Sequence, residues 1–187
     1  MDNRKAVALV SSEVRYKTTK KYDGFSCCFR QWRAEGTHCR FLHGYGVSFE
    51  ITFEADSLDH RNWVYDFGGF KRSKTMDIDK ILKDWFDHTV WVAQDDPCLE
   101  EFKELDKLGA IVLNVAPSLG CEIFAEKILI LVNGFLELET KGKVIASSVT
   151  FRENEKNSAT AFYKDGITAD LYPYQGIDFG FSSGGIL

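Results

Sequence analysis

No excess of basic residues runs through this chain. Twenty-three lysines and arginines face 28 aspartates and glutamates, a net charge of −5, so no cation surplus is on hand for a nucleic-acid backbone. A local basic pocket for a phosphorylated small molecule stays open. Long apolar runs are missing too: Ala6 to Val10 is too short for a signal core or a membrane span. A cytoplasmic protein, off the membrane, is therefore expected. The five cysteines, Cys27, Cys28, Cys39, Cys98 and Cys121, are odd in number and irregularly spaced. They suit a reducing compartment better than a disulfide framework, and none forms the C-x2-C pair of a structural zinc site. Repeats and low-complexity tracts are absent.

What is present reads as one globular domain, 187 residues with 44% hydrophobic and 27% charged content, enough to bury a core without staples. Residues 25–33, rich in Phe, Cys and Trp, read as a strand. Val47, Phe49, Ile51 and Phe53 alternate with polar residues, the pattern of a strand with one buried face. Ala34 to Gly46 is then a long hairpin connection, a common place for function. Ile78, Ile81, Leu82 and Trp85 follow helical spacing, with Asp77 or Asp79 suited to the first turn. A second helical stripe holds Phe124, Ile128, Leu131, Val132 and Phe135, with Ser118 as its cap and Asn133-Gly134 at its frayed end. Ser147, Val149 and Phe151 then share one strand face, and a partner strand follows at Ser158 to Tyr163. This order predicts an α+β fold: an antiparallel four-stranded sheet with two helices on one face. Its open edges call for self-association. Residues 1–164 form the domain. Residues 165–187, aromatic and glycine-rich without Lys or Arg, form a C-terminal extension.

Three places carry chemistry. Cys39 and His43 stand four residues apart at the entrance of the alternating strand, a spacing that also fits a solvated loop. Asp87 beside His88 can orient an imidazole for acid–base work, or His88 can simply cap a helix end. Glu153, in phase with Val149 and Phe151, needs a partner: a protein cation, or a ligand with two adjacent N–H donors. Trp63, Trp85 and Trp91 read as packing, and Gln94-Asp95-Asp96-Pro97 as a solvated turn. Arg30, Arg33, Arg40 and Lys71 suit either a triphosphate or plain solvent.

Taken in order, Cys39-x3-His43-Gly44, the alternating strand, Asp66-Phe67 with Lys71, Asp87-His88, Glu122-x2-Ala125 and Arg152-Glu153 resemble the 6-pyruvoyl- and 6-carboxytetrahydropterin synthases. The Cys-x3-His spacing is closer to the carboxy type of the queuosine pathway. The resemblance implies the tunnelling fold, with trimers or hexamers closing strands into a β-barrel and sites at subunit interfaces. It implies action on 7,8-dihydroneopterin triphosphate as a lyase, in 7-deazaguanine or pterin synthesis. It makes Cys39 the catalytic thiol with Asp87 and His88 as acid–base partners, and has Glu153 grip the pterin through a bidentate fork, with Glu122 beside it. The expected partners are a pterin or purine-like small molecule and further copies of the chain, with no nucleic acid and no membrane.

The family's zinc comes with three histidines, and here only His43 is kept. Phe29 and Tyr45 stand at the other two positions, so the three-histidine site does not form as such. Two accounts are open. One is a changed set of His43 with Cys27 and with His38 or Tyr45. The other, which the Phe favours, is packing in place of metal. Zinc is thus implied by the resemblance and opposed by the residues. The family's Pro-Thr-x-Glu reads Leu119-Gly120-Cys121-Glu122, which removes a threonine contact. The alternative to an enzyme is a non-catalytic pterin- or purine-binding, or structural, oligomeric homologue.

Overall fold

A computed structural model describes residues 14–164 of the chain; the C-terminal extension expected at 165–187 lies outside the described residues. Six strands form one mixed sheet rather than the four antiparallel ones expected. They are β1 (Tyr16–Phe29), β2 (His43–Ala55), β3 (Thr89–Ala93), β4 (Leu113–Ala116), β5 (Ile145–Arg152) and β6 (Ser158–Phe162), in the order β4-β3-β1-β2-β5-β6. β1, β2, β5 and β6 run antiparallel, while β3 and β4 add parallel to the end of β1 at Cys27–Phe29. The two extra strands escape a period-two reading because every residue of Thr89–Ala93 and Leu113–Ala116 is buried. Strands covered on both faces do not alternate.

The helices are α1 (Gly69–Arg72), α2 (Ile78–Phe86), α3 (Leu99–Lys107) and α4 (Cys121–Thr140). Asp77 caps α2 as its position suggests, its side chain accepting from Lys80 N. α4 starts after Gly120, with no side-chain cap, so Ser118 is not its cap. Nor does α4 fray at Asn133-Gly134. The Asn133 amide donates to Ala146 O and accepts from Ala146 N, both at 2.9 Å, and so ties the helix to β5. On one sheet face Val47, Phe49, Ile51 and Phe53 pack with Phe124, Ile128, Val132 and Phe135 of α4 in a single cluster. Each such buried side chain contributes about 1.5–3 kcal/mol. The helices are not confined to that face, for α3 brings Leu99 and Phe102 onto Val90, Val92, Leu113 and Val115 on the other.

Two further expectations shift. A register change between Thr52 and Phe53 inserts a residue opposite β2. Ala146, Val149 and Phe151 become the buried set, and Ser147 is left half-buried. Trp85 and Trp91 are core residues as read, but Trp63 is 47% exposed with the Arg61 guanidinium 4.2 Å from its ring centre. Among the described residues no helix is long and apolar enough to cross a membrane.

Candidate functional site

The loop joining β1 to β2 carries Cys39, and three sets of contacts fix it. Arg30, the first residue after β1, grips Asp96 through Nε (2.8 Å to Oδ2) and Nη2. Burial pushes the Asp96 carboxyl up, but Arg30 and the Cys98 amide outweigh it and hold it below the usual carboxylate range. The stretch read as a solvated turn therefore contains a buried ion pair. Trp32 Nε1 donates to Asp95 at 3.1 Å, and Arg33 pairs with the same carboxylate. Farther along, Gln31 N donates to Cys39 O at 2.9 Å, while Gln31 Nε2 donates to Leu119 O at 3.2 Å. This places the Cys39 segment beside the start of α4. Cys39 sits in a single 3-10 turn, His38–Arg40, whose N-cap Thr37 accepts from Cys39 N, and it is exposed. Of the candidate cations, Arg30 and Arg33 are committed to aspartates, Arg40 lies over Phe41, and Lys71 is exposed on α1.

Where the hairpin closes, Phe29 pairs with His43 and Cys27 with Tyr45 across β1 and β2. The Phe29 and Tyr45 rings stack with centroids 4.3 Å apart and an 18° tilt, and Phe29 meets Phe124 of α4 edge-on at 5.2 Å. Phe29 is 2% exposed. The His43 Nδ1 lies 2.7 Å from Phe41 O. A carbonyl only accepts, so Nδ1 carries the proton and Nε2 is the acceptor. The Tyr45 hydroxyl donates to that Nε2.

Glu153 follows β5 directly, and among the described residues no arginine or lysine pairs with it. Its Oε2 accepts from the Cys121 thiol at 3.4 Å, and its Oε1 from Asn157 Nδ2 at 2.9 Å and Asn154 Nδ2 at 3.5 Å. Burial and the adjoining carboxylate push the Cys121 thiol up to about 12. Glu122 lies exposed in the first turn of α4, where a carboxylate meets the positive helix end. Gly120 before it has φ 143°, and a Cβ there would come within 2.8 Å of Gln31 Nε2. A threonine at this point would collide with the amide that anchors the loop. Burial, then the fields of Glu153, Cys39, Cys121 and Cys27, push the Tyr45 hydroxyl up. Cys39, Tyr45, Cys121 and Glu153 thus surround one small region at the ends of β1, β2, β5 and α4.

Asp87 and His88 make contacts with each other and with β1. Asp87 Oδ1 holds His88 Nδ1 at 2.7 Å, forming the orienting pair expected. His88 N donates to Ser26 O at 2.7 Å, and its backbone sits at φ 60°. Its imidazole is 84% exposed, and among the described residues no hydrogen bond or ion pair links either residue to Cys39, Tyr45 or Glu153. Sequence reading named Asp87 and His88 as candidates but passed over Cys121 and Gln31, whose contacts lie 32 and 88 positions away, and Asn157, which reaches Glu153 across a turn four residues on.

Zinc does not fit these residues. His43 Nε2 is occupied by the Tyr45 hydroxyl, and Phe29 has no donor atom. Among the described residues no group of three or more His, Cys, Asp or Glu is placed to hold a metal ion.

A family model described as 6-pyruvoyl tetrahydropterin synthase matches residues 18–164. No curated protein sequence gives a match. Among solved structures, an uncharacterized protein from Wolinella succinogenes is similar at 21% identity and TM-score 0.65, covering 81% of this chain and 99% of its own. The 6-pyruvoyl tetrahydropterin synthase of Plasmodium vivax shows 14% identity and TM-score 0.55, over 80% of this chain and 99% of its own. That of Plasmodium falciparum shows 14% and 0.55, over 79% and 98%. At these identities the likeness to solved structures is one of fold.

Proposed function

The chain belongs to the 6-pyruvoyl tetrahydropterin synthase family, and from that premise we propose that it binds a pterin at Glu153 and acts on it as a lyase. The observation that carries this reading is the gathering of Glu153, Cys121, Tyr45 and Cys39 around one region at the strand ends. A carboxylate that accepts from a thiol and two amides exchanges them readily for the stronger bidentate N–H pair of a pterin ring. Glu122, at the start of the adjoining helix, lines the same approach. The substrate class is a dihydropterin with a phosphorylated side chain, 7,8-dihydroneopterin triphosphate by resemblance, in pterin or 7-deazaguanine synthesis. Cys39 removes a carbon-bound proton from the side chain, and the triphosphate leaves with the electron pair of its C–O bond. His88, exposed and held by Asp87, supplies the acid–base partner from a second copy, in line with the sites at subunit interfaces that the resemblance implies. None of these roles is routed through a metal.

A second reading, a pterin-binding protein without turnover, is favoured by the ring packing at Phe29 and Tyr45 where the family carries ligands. Incubation with 7,8-dihydroneopterin triphosphate decides between them. Released triphosphate, lost in Cys39→Ser and in His88→Ala, supports the enzyme. Binding without product, unchanged by Cys39→Ser, supports the binder.

A further inference from the structure

The Tyr45 hydroxyl is the feature this reading leaves unused. Its ring is clamped by the stack on Phe29, which is itself pinned edge-on by Phe124, so the hydroxyl has little freedom to swing. His43 is equally fixed, since its Nδ1–H is spent on Phe41 O and its Nε2 receives the Tyr45 proton. The phenol therefore has its one proton pointed inward, and what it offers outward is acceptor lone pairs. Around it stand Glu153, Cys39, Cys121 and Cys27. Among the described residues no side chain donates to the Tyr45 oxygen. Its outward lone pairs can accept from a ligand, and Glu153, one of its electrostatic neighbours, is the group that holds the ring in the pterin reading.

We propose that Tyr45, oriented by His43, is a specificity-determining residue that accepts a hydrogen bond from a hydroxyl on the side chain of the bound pterin and selects hydroxylated pterins without a metal. This inference rests on the pterin reading of Glu153 and deepens it. Tyr45 acts as a fixed hydrogen-bond partner, and its ring and His43 need no change of charge.

The test is a fluorescence titration of the full chain, in chelator-treated buffer, with two ligands: neopterin, which carries a trihydroxypropyl side chain, and 6-methylpterin, which carries none. The wild type is expected to prefer neopterin by about threefold to tenfold, the range of one net hydrogen bond. Tyr45→Phe, which keeps the ring stack, should abolish the preference and leave 6-methylpterin affinity within about twofold of the wild type, since it removes only that one hydrogen bond. Glu153→Gln should weaken both ligands and preserve their ratio. Equal binding of the two ligands by the wild type, or a preference that survives Tyr45→Phe, overturns this inference and leaves the pterin reading intact. Binding of neither ligand overturns both, and a preference that appears only with added zinc overturns the metal-free part. Should Tyr45→Phe fail to fold, ¹⁵N shifts of the wild-type His43 ring serve instead. The Nδ1–H tautomer is expected, and the Nε2–H tautomer would overturn the inference.

Discussion

Removing the carboxylate of Asp96 tests how the Cys39 loop is held. The Asp96 side chain is 0% exposed and that of Arg30 is 17% exposed, so Asp96→Ala strands a mostly buried guanidinium. It also removes the acceptor for Cys98 N, which lies 2.9 Å from Oδ1. Breaking one side of a buried pair costs about 3–5 kcal/mol, and the residual solvent at Arg30 puts this case near the lower end. Against a total of about 5–15 kcal/mol that is a large loss. With an m-value of about 2 kcal/mol/M in urea, the midpoint should fall by about 1.5 M. Tryptophan fluorescence follows it directly, since Trp85 and Trp91 are buried. Asp96→Asn keeps the shape and loses the charge, so it should cost about 1–2 kcal/mol. The pH dependence has a fixed sign. The folded carboxyl is held below its ordinary value, so its stabilisation is full above the unfolded pKa of about 3.9 and fades as pH falls through the folded value. Asp96→Asn should therefore cost most near neutrality, and its cost should shrink as pH falls below about 3.9. Losses under about 1 kcal/mol in both variants at neutral pH would refute the buried-pair reasoning, because exposed pairs contribute that little.

Three further outcomes are expected. Phe29→Ala, which opens the contact between Tyr45 and Phe124, should cost about 3–5 kcal/mol by urea denaturation; a cost below about 1 kcal/mol would mean the three rings are not packed together. Gly120→Ala should destabilise by about 1–3 kcal/mol, because φ 143° suits glycine and the new Cβ meets Gln31; a neutral result would show that the loop does not press on the start of α4. A thiol reagent at pH 8 should label exposed Cys39 well before buried Cys27 and Glu153-bound Cys121, read by mass spectrometry. Early labelling of Cys121 would contradict its contact with the carboxylate.

Much of the antiparallel half of the sheet was legible because its residues obey local rules. Val47 to Phe53 alternate and are buried as they alternate, and Asp77 caps α2 from its own sequence position. What escaped depends on neighbours far along the chain. Thr89–Ala93 has no period because both faces are covered, one by the α4 side and one by α3. Asp96 looks like a turn residue until Arg30, 66 positions earlier, is folded onto it. Asn133 looks like a helix breaker until Ala146 on β5 takes its amide. For the candidate site, residue types singled out Cys39, His43, Glu153 and the Asp87–His88 pair as candidates. The Tyr45–His43 hydrogen bond was also within reach, since residues two apart on a strand share a face.

The most direct test of the whole reading is a titration of neopterin into the wild type and Glu153→Gln, each with and without a strong chelator. One saturable site per chain is expected, with a Kd indifferent to the chelator and weakened about tenfold or more in the variant, the loss of one or two hydrogen bonds to a charged group. No saturable binding, or equal binding by Glu153→Gln, would contradict the pterin assignment. Binding that vanishes with the chelator would contradict a site closed by Phe29 and Tyr45.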